Sequence, residues 1–415
     1  MEMHYRPSRR AMLLGLASSA ASSRLSATIR PEEVALLAGR RPYIGQVATR
    51  SFVNSTIYDT TASYNARSSH YARTTITELS VGFANWYVTA GSGEFNSGNV
   101  CTRTASIEYP AGVFTQLTFN QSARGVASAG QTLFSDFIRI AIPKGALFWV
   151  RQYQTNTVGI MFQAAQCPAF NLSLGDAVNA GGNEPDYTLG GTIVNSGVNA
   201  LLAPIAIVGP LTAPSIGIIG SSRFIGYGDQ TVDVTGDTGY CRMLGGSFPY
   251  MAMAVRGDTN ASVAGSGGAL RRALVAKYCS HLWLDPGLND LNTGASAATD
   301  MAYIVGMASA WPRLSRVLIN DEGPWTTSTD GWTTTVNQTA ESWEAQRLVL
   351  NSSIGALSGY NQIVKVAAFD TTGGSFWKNP AAGGSQFVAD GIHENTPTCI
   401  AIAGAGLFNP ALVHR

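Results

Sequence analysis

The sequence predicts an all-β N-terminal module followed by an α/β domain built on a parallel sheet. Two observations carry that prediction. Up to about residue 190, short alternating segments are separated by Gly, Pro and Asn; after Pro214, apolar runs of strand length alternate with helical stretches. A chain of 415 residues is long enough for two domains with separate cores. Charged residues make up only 13% and the net charge is +1, which argues against a nucleic-acid partner needing a basic face. No run reaches the ~18 apolar residues of a membrane-spanning helix.

Residues 1–25 are expected to be a targeting segment. Arg9 and Arg10 precede the apolar Met12-Leu13-Leu14, and small residues follow, which is the order of a twin-arginine-like export signal. A secreted or periplasmic location is the expectation; the bland reading is an irregular start to a cytoplasmic or phage-encoded protein. The five cysteines (Cys101, Cys167, Cys241, Cys279, Cys399) form no CxxC pair, so no zinc site is expected, and the odd count leaves at least one free thiol.

Residues 28–200 read as a β-sandwich, jelly-roll-like. Leu79, Val81 and Phe83 recur at every second position, with Ile76 out of phase; residues 105–109, 116–119, 137–142 and 146–151 continue the strand texture. Trp86, Tyr87 and Tyr153 are suited to stacking on sugar rings, although filling the module's own core explains them better. Residues 201–213, uncharged and containing Gly and Pro, read as a connector with room for one or two strands.

In residues 214–415, strands are predicted at 216–219, 250–255, 281–284, 316–319 and 362–369. Helices are predicted at 268–279, 297–310 and 338–357, the last from the spacing of Trp343, Gln346, Leu350 and Ile354. Four short segments fall at strand ends or in the terminal loop: Gly220-Ser221-Ser222 with Gly226, Arg256-Gly257-Asp258, Gly287-Leu288-Asn289-Asp290, and Asp390-Gly391-Ile392-His393. In an open parallel sheet one crevice collects such segments. A serine nucleophile needs a base, His393, and a carboxylate to orient that base, Asp390. The backbone N–H groups of Ser222 and Gly257 and the Asn289 amide are suitable in kind as oxyanion donors. Of the other histidines, His4 and His414 are terminal, His70 lies in the β module and His281 opens a core strand, so elimination also favours His393.

The order and residues of these four segments resemble the SGNH hydrolase, or GDSL-type esterase, superfamily over about residues 214–409. The resemblance implies a three-layer α/β/α domain with Ser222 as nucleophile, Asp390 and His393 as acid and base, and Ser222, Gly257 and Asn289 as the oxyanion hole. It implies no metal or organic cofactor. Ser221 stands where that family usually carries Asp, which leaves open which serine attacks; the spacing to Gly226 favours Ser222. The expected activity is a serine esterase, with an acetylated glycan or other small ester as substrate. The alternatives are a lipase or thioesterase, and a phage-derived or surface glycan-binding protein with an inert hydrolase domain.

Outside that constellation, Asp229, Asp233 and Asp237 read as a solvated turn rather than a calcium loop, since the closing Glu is missing. Asp290 is expected to shape its loop. Arg223 reads equally well as a contact for an anionic substrate group and as an exposed loop residue. Trp325, Trp332 and Trp377 are candidates for a sugar-binding rim.

Overall fold

The computed structural model describes residues 43–413, apart from 57–62, 157–162, 165–169, 181, 183, 197–200, 230–235, 245, 265–270, 311–315, 361, 365, 367–370, 373, 379–386 and 389. The predicted export segment, Cys167 and Asp233 therefore lie outside the described residues.

Six strands form a parallel sheet in the order Ser51–Phe52, Tyr250–Ala252, Ile216–Ile219, His281–Leu284, Arg316–Asn320, Gln362–Val364. Every residue of the Ile216–Ile219, His281–Leu284 and Arg316–Asn320 strands is buried, which is why consecutive apolar residues, rather than an alternation, mark the centre of each in sequence. Alternation is present in the packing instead. Ile219, Met251, Leu282, Leu284, Val317 and Ile319 face the helices Asn260–Ala264, Leu274–Tyr278, Ala297–Ala310 and Glu344–Gly355. Ile216, Ile218, Tyr250, Ala252, Trp283 and Leu318 face the opposite way, onto the Gly239–Leu244 turn and the helices Thr396–Gly404 and Pro410–Val413. From Ile216–Ile219 the chain moves first to one neighbour (Tyr250–Ala252) and then to the other (His281–Leu284). The order therefore reverses at this strand, and such a reversal opens a crevice at the strands' C-terminal ends.

The first part of the chain is mainly antiparallel. One sheet joins Tyr43–Gln46, Ala206–Leu211, Ile76–Ala84 and Thr132–Phe134; another joins Gly125–Ala127, Cys101–Glu108, Leu147–Thr155, Ser63–Tyr71 and Ala177–Asn179. Leu79, Val81, Phe83 and Ile207 from the first meet Ala105, Ile107, Phe148 and Val150 from the second in one cluster. Ile76, out of phase in the sequence, is buried in the same cluster. The register against Ile138–Ile142 shifts between Arg139 and Ile142, where the partner strand carries one extra residue and Ile142 comes opposite Ile76.

Two features bear on how the chain is organised. The stretch expected as a connector with room for one or two strands holds the strand Ala206–Leu211, which pairs with both Tyr43–Gln46 and Ile76–Ala84. Ile207 points into the antiparallel core, while Ala206 and Val208 point into the cluster shared with the parallel sheet, so both faces are apolar and no alternation marks the strand. The division at residue 200 is also not clean, because Ser51–Phe52 adds an edge strand to the parallel sheet. Trp86, Val88, Ala206 and Val208 pack in one cluster with Met251, Val275 and Leu282, so the two parts share a core.

Candidate active site

Ser222 follows the Ile216–Ile219 strand in a run of turns, Gly257 follows Tyr250–Ala252, and Asn289 lies in the short helix Leu288–Asn292 after His281–Leu284. Asp390 and His393 share a tight loop closed by an isolated antiparallel bridge between Val388 and Glu394. Asn395 ends that loop by capping the Thr396–Gly404 helix, its side chain accepting from the Thr398 N–H at 3.1 Å. Gly391 is required inside it. Its φ is +78°, and a Cβ there would sit 1.9 Å from the Thr326 carbonyl oxygen.

The structure brings Ser222, His393 and Asp390 into one relay. The Ser222 Oγ lies 2.8 Å from His393 Nε2, and His393 Nδ1 lies 2.7 Å from Asp390 Oδ2. Burial works against ionising Asp390, but hydrogen bonds from the His393 ring, the His393 N–H and the Ile392 N–H hold its carboxyl down at about 2. An ionised carboxylate only accepts, so Nδ1 carries the proton and Nε2 is left to accept from the Ser222 hydroxyl. Ser222 and His393 are buried and Asp390 is partly exposed.

Gly257 and Asn289 meet at Asp258. The Asn289 side chain donates to the Asp258 carbonyl at 2.8 Å, and the Val255 N–H donates to the Gly220 carbonyl at 3.1 Å, which lays this loop along the serine loop. Gly257 has φ +74°, a conformation that glycine adopts without strain. Ser221 is committed elsewhere: its N–H and hydroxyl both donate to Asp285 Oδ2, at 2.9 and 2.6 Å. Asp285, at the end of the neighbouring strand, thus brings a carboxylate beside the position where the resemblance leads one to expect Asp in the chain.

Sequence reasoning missed several residues that build this site. Arg223 is neither exposed nor aimed at substrate. It is buried, ion-paired to Glu322 at 2.8 Å, and donates to the carbonyls of Ile392 (2.8 Å) and Pro324 (3.2 Å), so it ties the histidine loop to the loop after Arg316–Asn320. Burial drives the Glu322 carboxyl well above its usual range; the Arg223 charge pulls it back and the Asp285 charge adds to the rise. Trp377 is fully buried, donating to the Gly391 carbonyl at 3.0 Å, and so buttresses the loop instead of forming a rim. Trp332 donates to the Thr326 hydroxyl at 3.0 Å, and Trp325 packs edge-on against Trp343. Tyr227 was also missed. Its ring meets His393 edge-on at 4.7 Å, and the Arg256 guanidinium sits 3.7 Å over that ring. Both are exposed.

The expected solvated turn is also corrected. Asp229 is buried against Arg242 at 2.5 Å, and Asp237 accepts from the Tyr250 hydroxyl at 2.8 Å. Asp290 shapes its surroundings as expected, accepting the N–H groups of Asn260 (2.7 Å) and Ala261 (2.9 Å). Trp86 is buried, in line with a core role. Cys101, Cys241, Cys279 and Cys399 are buried. Among the described residues no group of three or more His, Cys, Asp or Glu side chains is placed to hold a metal ion, and no helix is long and apolar enough to cross a membrane.

No protein-family model matches the sequence, and no curated protein matches it. Solved structures to which it is similar are GDSL-type lipolytic proteins and carbohydrate esterases. A putative acylhydrolase from Bacteroides fragilis is 14% identical, with 49% of this chain and 88% of that chain covered and a TM-score of 0.34. A carbohydrate esterase family 2 enzyme with a carbohydrate-binding domain, from Corynascus thermopiles (Myceliophthora fergusii), is 12% identical over 89% of this chain and 98% of that chain, with a TM-score of 0.31. An acetyl-xylooligosaccharide esterase from Geobacillus is 14% identical over 48% of this chain and 94% of that chain, again with a TM-score of 0.31. These structural overlaps are partial and the identities low.

Proposed function

We propose that this protein is a serine esterase that works through an acyl-enzyme and removes O-acetyl groups from a carbohydrate or polysaccharide. The observation that carries the reading is the relay from Ser222 Oγ through His393 (2.8 Å) to Asp390 (2.7 Å) at the crevice where the strand order reverses. In this reading Ser222 Oγ attacks the ester carbonyl carbon while its proton passes to His393 Nε2. Asp390 holds the imidazole orientation and stabilises the imidazolium. The N–H groups of Ser222 and Gly257, with the Asn289 N–H that does not reach Asp258, receive the oxyanion. His393 then returns the proton to the departing alcohol oxygen. Water, deprotonated by the same nitrogen, releases the acid and restores Ser222. Every step is proton transfer or acyl transfer, and none calls for a cofactor.

The finer reading of the architecture is a three-layer α/β/α hydrolase domain with a β-sandwich accessory module; the helices on both faces of the parallel sheet and the core shared by the two antiparallel sheets support it. A sugar-borne ester is favoured because the rim beside His393 is made by exposed Tyr227 and Arg256, an aromatic face and a cation that suit a polar alcohol better than a long acyl chain. The Arg9–Arg10 start supports an exported protein.

Ser222→Ala is expected to abolish turnover of p-nitrophenyl acetate with the fold intact by circular dichroism, and retained turnover would overturn the esterase assignment. Acetate release from acetylated polysaccharides is expected to exceed hydrolysis of long-chain esters; the reverse order would replace the carbohydrate substrate by a lipid one.

A further inference from the structure

Asp258 stands between the two groups assigned to the oxyanion besides Ser222. It follows Gly257 in the chain, and its carbonyl oxygen accepts the Asn289 amide at 2.8 Å. Its carboxylate accepts from Arg272 Nη1, from the Ser262 hydroxyl at 2.5 Å and from the Gly91 N–H at 3.3 Å. Arg272 Nε lies 3.4 Å from Glu94 Oε1, and the backbone N–H groups of Arg271 and Arg272 donate to the two Glu94 oxygens, each at 2.8 Å. Gly91 and Glu94 belong to the hairpin Trp86–Thr89/Gly93–Asn96, far upstream in the all-β part of the chain. The side chains of Glu94, Arg272 and Asp258 are 2%, 0% and 2% exposed.

We infer that the N-terminal module completes the catalytic site, with Glu94 as a positioning residue that acts through Arg272 and Asp258 on the Gly257 N–H and the Asn289 amide. This rests on the esterase reading above. Oxyanion donors accelerate a reaction only when they are fixed before it begins, and buried charges with several hydrogen bonds each resist reorientation. A Cβ built on Gly257 would meet the Cβ of Ala90 at 3.4 Å, so the hairpin tip also backs this loop sterically. Removing the Glu94 charge takes one of two carboxylates away from Arg272 and frees the Asp258–Asn289 link to shift.

A glycan-binding module and a positioning module make opposite predictions on the smallest ester. Glycan binding changes KM for polymeric substrates and leaves p-nitrophenyl acetate untouched. Positioning lowers kcat on p-nitrophenyl acetate itself. Glu94→Gln is expected to lower that kcat about 10- to 100-fold with KM within about twofold, a misplaced donor being worth that much. A phenylboronic acid, which binds a serine as a tetrahedral anion, is expected to weaken by a similar factor. Arg272→Lys, which keeps the charge and loses the planar fork, is expected to show a smaller effect of the same kind and serves if Glu94→Gln folds poorly. Glu108→Gln is the comparison, since Glu108 pairs with Arg67 and Arg151 in the same module and makes no contact with Asp258; it is expected to lower the melting temperature without changing kcat. An unchanged kcat in both Glu94→Gln and Arg272→Lys, or an equal loss in Glu108→Gln, would overturn the inference while leaving the esterase reading intact. Turnover that survives Ser222→Ala would overturn both.

Discussion

At the scale of single residues, the adjacent serines separate by their partners. Ser222 reaches His393 at 2.8 Å, whereas the Ser221 hydroxyl is spent on Asp285 at 2.6 Å. Ser221→Ala is therefore expected to keep kcat on p-nitrophenyl acetate within about tenfold of the parent, because the hydrogen bond it removes goes to Asp285 and not to His393, so the cost falls mainly on stability. Ser222→Ala is expected to cost several orders of magnitude, as for other triad serines. Equal losses in the two variants would mean that the nucleophile is wrongly assigned. Arg223 shows why this scale was hard to read from sequence. Its partners Glu322, Pro324 and Ile392 lie 99, 101 and 169 residues away, and nothing local distinguishes it from a loop arginine.

At the scale of elements, the helix Ala297–Ala310 carries Asp300 in its first turn, beneath the loop that presents Asn289. Burial, reinforced by the charge of Asp290, pushes the Asp300 carboxyl up to about 9 from an ordinary 3.8. The Asn260 amide donates to it at 2.9 Å, and a Cβ on Gly287 would fall 2.4 Å from its second oxygen. A carboxyl whose folded value is raised takes up a proton on folding. Its contribution to stability is complete below the unfolded value and is lost as pH rises through the folded one. The melting temperature is thus expected to fall between about pH 4 and pH 9, and Asp300→Asn is expected to flatten that slope and raise stability at neutral pH. Thermal scans across this range check it; identical slopes in parent and variant would rule Asp300 out as the cause. The helix itself was legible, because 14 residues of helical texture, interrupted only by Gly306, signal themselves locally. The strand Ala206–Leu211 was not, because two apolar faces leave no period and Gly209-Pro210 reads as a break.

At the scale of the whole molecule, the two parts are joined through packing as well as through chain. The cluster around Trp86, Val88 and Val208 continues into Met251, Val275, Leu282 and Leu350 without a boundary. Calorimetry is expected to show one cooperative transition for the described body, since neither part can unfold without exposing the other's core. Two well-separated transitions would show that the parts fold independently. The same continuity makes the hairpin at Glu94 a component of the site.

The sequence by itself determined the strands Ile216–Ile219 and His281–Leu284, the helix Ala297–Ala310, and the order of Ser222, Gly257, Asn289, Asp390 and His393. Each of these is signalled by local periodicity or by residue type at short spacing. The tertiary structure decided which carboxylate sits beside Ser221, what Arg223 holds, that Ser51–Phe52 and Ala206–Leu211 each join a sheet that no local pattern assigns to them, and that a hairpin 178 residues upstream reaches Arg272. Buried ion pairs and strand partners are chosen by proximity in the fold, and proximity across a hundred residues leaves no period in the chain.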